Sequence, residues 1–176
     1  MYKSLSVVSI LALAFSFNAF ADSAKVLKVS EKIEINASAD TVWAKSGNYG
    51  DLGAFHPAVA KTEIASGTNN KKGAVRVLTL QDGGKITERL TAYQGKKMSY
   101  SYVITESVLP VSNYSATITV KSLGEGKSEV LWNASFKRKN LSDAPASGQD
   151  DEAAVKTITG VFKGGLDNLK KITETK

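Results

Sequence analysis

His56, in the stretch GAFHPAVAK, is the only histidine in the 176-residue chain. An imidazole titrates close to neutrality, so a lone copy could act as a general acid or base. Such work needs an orienting partner and a nucleophile or water within reach. The sequence offers no Gly-x-Ser-x-Gly elbow, no cysteine and no carboxylates at metal-ligand spacing. His56 is therefore left with three roles: packing or capping at the end of a short helical turn, lining an entrance where it touches ligand, or catalysis.

Glu88 is the second anomaly. In KITERLTA it alternates with Ile86, Leu90 and Ala92, which puts a carboxylate on the apolar face of a strand. Without a partner a buried carboxylate is neutralised or costs several kcal/mol. Arg76, one strand earlier, is the candidate partner, and the turn between them decides whether it faces Glu88. A tight turn at Gly83-Gly84 puts Arg76 opposite Thr91 and near Arg89, on the other face; a longer or bulged turn reverses that parity. Glu88 could then be half of an internal ion pair, a ligand anchor or an acid/base group.

The elements that must position these residues follow from periodicity. Residues 26–36 alternate as a strand. Ser38 or Asp40 can cap a short helix through Trp43, and a second helical turn near 51–55 is closed by Pro57. Six further strands are expected at 61–66, 74–81, 85–93, 98–106, 114–122 and 128–139, separated by Gly- and Asn-rich turns, as in an antiparallel meander. Their apolar face carries Met98, Tyr100, Tyr102 and Ile104, then Tyr114, Ala116, Ile118 and Val120, then Val130, Trp132, Ala134 and Phe136. Residues 106–114, ESVLPVSNY, read as a loop with apolar Val108, Leu109 and Val111: a lid, a partner surface or a buried corner.

From Asp150 onward Val155, Ile158, Phe162, Gly165, Leu166, Leu169 and Ile172 recur at helical spacing, for one amphipathic helix of about six turns. Gly160, Gly164 and Gly165 inside it each cost about 1 kcal/mol relative to alanine, so close packing or room for a ligand must justify them. The fold class is α+β: a curved antiparallel sheet of about seven strands around a long C-terminal helix, with two short helices after the first strand.

Residues 1–21 carry Lys3, an apolar run over 5–17 and Ala19-Phe20-Ala21, the pattern of a secretory signal peptide cleaved after Ala21. The apolar run is short for a membrane span, so export to a bacterial periplasm without stable membrane insertion is expected. A single domain over 22–176 remains, about 155 residues, enough for a substantial core. The formal charge of +6 is spread over lysines beside turns, which reads as a solvated surface and leaves room for an acidic protein partner or an anionic membrane surface. No dense basic stripe suggests nucleic acid.

Trp43 in the first helix, FHP after the second, GAVRVLTLQDGGKITERL in the middle hairpin, YSY on the next strand and the long terminal helix together resemble the bacterial polyketide cyclase/dehydrase-like branch of the START-like (SRPBCC) superfamily. The resemblance covers essentially the whole chain after the signal peptide and implies the helix-grip fold, with a ligand cavity between sheet and helix. Among its branches the chain is most similar to the exported MxaD-like periplasmic proteins associated with methanol oxidation. Phe55 stands where such proteins often have Trp, which implies a different entrance.

Three functions follow as expectations. The first is a monomeric, non-catalytic binder of a small hydrophobic or amphipathic molecule. Its mouth would be lined by Trp43, His56 and Leu109, its walls by Tyr100, Tyr102, Tyr114 and Trp132, and its polar anchor formed by Glu88 with Arg76, with Phe55, Phe136 and Phe162 completing the ligand-binding set. The second, implied by the MxaD-like resemblance, is an accessory to a periplasmic dehydrogenase and its cytochrome. The third is a cyclase or dehydratase using His56 or Glu88. No nucleotide loop, haem motif or metal site is visible, so no cofactor is expected.

Overall fold

The computed structural model describes residues 24–175. The expected signal peptide at 1–21 lies outside them. Within them the order is β1 (Leu27–Ile35), α1 (Ala39–Ser46), a 3-10 turn (Leu52–Ala54), β2 (Val59–Ser66), β3 (Val75–Leu80), β4 (Lys85–Gln94), β5 (Ser99–Ser107), β6 (Val111–Gly124), β7 (Lys127–Arg138) and α2 (Asp151–Glu174), with a further 3-10 turn at Gly95–Lys97. The strands form one antiparallel sheet in the order β1-β7-β6-β5-β4-β3-β2. No helix among the described residues is long and apolar enough to cross a membrane.

Local chemistry accounts for the helix starts. Ser38 Oγ accepts from Thr41 N at 3.2 Å to open α1, and Asp150 Oδ1 accepts from Ala153 N at 2.8 Å to open α2. Each side chain satisfies one of the amides that a helix leaves without an intrahelical partner. Asp151 and Glu152 in the first turn of α2 and Lys171 in the last suit the helix dipole. At the far end Lys170 Nζ donates to Glu34 O and Glu174 accepts from Asn36 N, tying α2 to the end of β1.

The β3–β4 turn settles the parity of Arg76. Leu80 N donates to Gly84 O at 2.8 Å, so the loop is three residues, Gln81 to Gly83, with Gly83 in the left-handed region at φ 85°. One residue more than a two-residue turn flips the face of the preceding strand. Arg76 therefore stands directly opposite Glu88, and both are buried.

The second departure from the expected pattern is at 106–114. β5 continues to Ser107 and β6 begins at Val111, leaving only residues 108–110 as a turn. The strand resumes early because Val111 and Ser112 pair with Arg138 and Lys137, and a bulge around Asn113, at φ 49°, restores the inward parity of Tyr114. Val111 is buried, Leu109 half-buried, and only Val108 is exposed. The same bulge separates two strands. β5 and β6 pair from Ser99↔Thr119 to Val103↔Ser115; beyond that β5 follows β4 and β6 follows β7. A groove of about 760 Å³ opens where they part, flanked by Arg89, Glu106, Asn113 and Lys139.

Across the inner face runs an aromatic series, Tyr93–Tyr100–Tyr102–Tyr114–Phe136, with ring centroids 5.9–6.5 Å apart. Trp132 on β7 then stacks on Phe162 of α2 at 4.4 Å, joining sheet to helix. Such ring pairs add to the burial of their large apolar areas.

Candidate functional site

Between sheet, 3-10 turn and α2 lies a cavity of about 70 Å³. Its walls are almost wholly apolar, drawn from Leu52 on the turn, Leu78 on β3, Ile86 on β4 and Ile158 on α2, with Leu109 from the 108–110 turn. Against these stand His56, Glu88, Tyr102, Tyr114 and Trp132. A void of this size exceeds the ~10–15 Å³ a single water needs, and falls well below the ~300 Å³ of a typical small-molecule site.

The sequence-selected residues separate into two groups. His56, Glu88, Tyr102, Leu109, Tyr114 and Trp132 meet at the cavity. Trp43, Phe55, Arg76, Tyr100, Phe136 and Phe162 do not reach it. Trp43 was expected at the mouth, but it packs beside Tyr93 and Tyr100, with the backbone of Gly47 against its indole. Phe55 is buried beside Trp132, and Phe162 is covered by the Trp132 stack. Residues missed by sequence reasoning include Leu78 and Leu80, which share the parity of Arg76 and become legible once the turn length is known. Val161 also lines the void, and neither its position nor its carbonyl carried a sequence signal.

His56 is fully committed. Its Nδ1 accepts from Ala58 N at 3.2 Å, which leaves the proton on Nε2, 2.9 Å from the Val161 carbonyl. Burial pushes its pKa below the ordinary value, with the Val161 contact opposing. The ring stands edge-on to Trp132 at 6.0 Å. Asn168 Nδ2 adds a second clamp on Phe55 O at 2.9 Å, so the Phe55-His56 segment is stitched to α2. This explains Gly165: a Cβ there would lie 2.7 Å from His56 Cδ2 and 2.9 Å from Trp132 Cζ3. Gly160 and Gly164, by contrast, face open space.

Glu88 is committed on one side only. Arg76 Nε donates to Oε2 at 2.6 Å, and Nη2 lies 2.6 Å from the same oxygen. Arg76 Nη1 donates to Tyr49 O at 2.6 Å. The guanidinium is capped by the ring of Tyr49 at 4.2 Å and lies 5.2 Å from that of Tyr102. Burial opposes the charge on Arg76, yet Glu88 and the surrounding tyrosines hold its pKa above the ordinary value. Burial raises the Glu88 pKa, and Arg76 opposes that rise. A guanidinium does not give up its proton in a protein, so it needs the Glu88 carboxylate as its counter-ion.

The phenols of the wall, Tyr102 and Tyr114, and that of Tyr100 behind them are neutral. Burial pushes Tyr100 up to about 12, and raises Tyr102 and Tyr114 as well. Trp132 Nε1 donates to Tyr102 OH at 3.1 Å. Among the described residues no group of His, Asp or Glu stands ready to hold a metal ion.

A curved antiparallel sheet gripping a long helix over an apolar cavity defines the START-like helix-grip class. The family model described as "Polyketide cyclase / dehydrase and lipid transport" matches residues 26–174, and the chain belongs to that family. It is similar to the solved structure of the protein XoxI from Bacillus cereus, with TM-score 0.72 and 29% identity over 83% of this chain and 94% of that one. An uncharacterised protein from Bacillus thuringiensis matches with TM-score 0.74 and 29% identity over 85% of this chain and 100% of the other. The Zhui aromatase/cyclase from Streptomyces sp. R1128 shares the fold, with TM-score 0.66 and 17% identity over 85% of this chain and 94% of that one. No curated protein matches the chain.

Proposed function

We propose that this chain is an exported binding protein that holds a small hydrophobic or amphipathic molecule in the cavity between sheet and α2. The observation that carries the reading is the void itself: apolar walls around a single carboxylate that is half satisfied by protein. The family description, with its lipid transport, supports the same reading. The signal-like pattern of residues 1–21 supports the periplasm as its place of action.

A catalytic role for His56 is disfavoured because both ring nitrogens are spent on backbone partners. General base work would first require breaking one of those bonds. The test is native mass spectrometry of protein recovered from the periplasm, followed by organic extraction. A stoichiometric apolar or amphipathic molecule is expected. Protein that arrives empty and takes up no apolar probe would overturn the reading.

A second reading draws on the similarity to XoxI and on the formal charge of +6: the chain assists a periplasmic dehydrogenase and its cytochrome through its basic surface. Salt-sensitive association with an acidic periplasmic protein would support it, and the absence of any such association at low ionic strength would end it.

A further inference from the structure

The cavity has one strong polar feature, and its charge state restricts what can sit beside it. Arg76 is wholly buried, does not line the void, and aims its donors at Glu88 Oε2 and Tyr49 O. Because it stands behind Glu88 and away from the void, the guanidinium does not meet a guest in the cavity. Glu88 does line the void; its protein contacts run through Oε2, and its side chain keeps 5% exposure. Oε1 is thus the acceptor that the cavity presents. An ionised carboxylate has only acceptors to offer. Around it the walls supply no second charge, since Tyr102 and Tyr114 stay protonated and His56 is neutral.

Resting on the binding reading above, we propose that the cavity selects a neutral molecule bearing a hydrogen-bond donor, an alcohol or phenol, whose hydroxyl donates to Glu88 Oε1, and that it rejects carboxylates. A ligand carboxylate would set like charges side by side among apolar walls. An ether of the same shape would leave Oε1 facing a second acceptor. An ammonium would have to shed its hydration for a carboxylate whose charge Arg76 already balances. A hydroxyl loses little on leaving water and gains a charge-assisted hydrogen bond. The limited volume, about 70 Å³, favours a ring-sized molecule over a long chain.

The experiment is a set of NMR titrations of the purified protein at neutral pH with phenol, anisole, benzoate and toluene. These probes share a ring and differ in the group offered to Glu88. Binding at the cavity is read from the amides of Leu78, Ile86 and Ile158. Phenol is expected to bind at least about tenfold more tightly than anisole or benzoate, the ratio that a hydrogen bond to a charged group supplies. In the double variant R76M/E88L, which removes both charges together, the phenol-to-anisole ratio should fall to about one. If benzoate or anisole binds the unmodified protein as tightly as phenol, the donor rule is overturned while the cavity reading stands. If none of the four, toluene included, shifts the cavity amides, both fall.

Discussion

His56 and Glu88 are both buried polar residues in the wall of one cavity, and they differ in what the protein has left them to do. His56 spends Nδ1 on Ala58 and Nε2 on Val161, and its ring is wedged between Trp132 and Gly165. Glu88 spends one oxygen on Arg76 and shows the other to the void. A fully satisfied polar group is structure, because using it would cost the bonds it already makes. A half-satisfied one next to empty space is where a ligand gains most. Burial alone does not distinguish the two; counting partners does.

The largest effect should come from unbalancing Glu88. Arg76→Met leaves a buried carboxylate without its cation and should destabilise the fold by about 3–5 kcal/mol, measured by urea denaturation. The double variant R76M/E88L should recover most of that loss. If the single variant costs no more than the double, the two side chains are not a coupled pair, and the contrast with His56 loses one of its sides.

Next in size is Gly165→Ala, which strikes the His56 side. The new methyl meets two aromatic rings at distances that real Cβ atoms do not show, and overpacking of this kind costs about 1–3 kcal/mol. His56→Gln should then cost about 1–2 kcal/mol through the lost contacts to Ala58 and Val161 and should leave apolar ligand affinity unchanged. His56 also gives a pH signature. Its folded pKa lies below the ordinary value of about 6.5, so the unfolded chain binds the proton more readily. The stability it contributes is complete above about pH 6.5 and is lost as pH falls from there through the folded pKa. Thermal melts of the parent should weaken over that window more than those of His56→Gln; parallel curves would show that the ring is not held neutral.

The smallest effect has the opposite sign. Gly160→Ala places its methyl in open space on an exposed helix turn and should stabilise by up to about 1 kcal/mol. A loss there would mean that α2 needs glycine for something other than the close approach at Gly165.

The sequence made one side of this contrast partly readable. Alternation with Ile86 and Leu90 placed Glu88 inward without any coordinates, and the helix period placed Gly165 on the buried face of α2. The facing of Arg76 was not readable, because it turns on whether the Gly83 hairpin closes over two residues or three. The satisfaction of His56 was out of reach for another reason: its second partner is a backbone carbonyl 105 residues away, and every residue has a carbonyl. Trp43 was misplaced at the mouth because a half-buried aromatic on a short helix can turn either way, and here Gly47 and Tyr93 give it a seat away from the void.

The parting of β5 and β6 bears on rates. Ile104 and Tyr114 line both the outer groove and the inner cavity, so the partition between them is side chains rather than ladder. No inter-strand backbone pair joins β5 to β6 past Val103 and Ser115. A molecule crossing there would wait for two rotamers to swing, with every strand pair intact, whereas a continuous sheet would have to unzip. The time a guest spends inside would then be governed by how tightly Tyr114 packs between Tyr102 and Phe136, and a change at that ring would alter how fast the cavity fills and empties before it altered how firmly it holds.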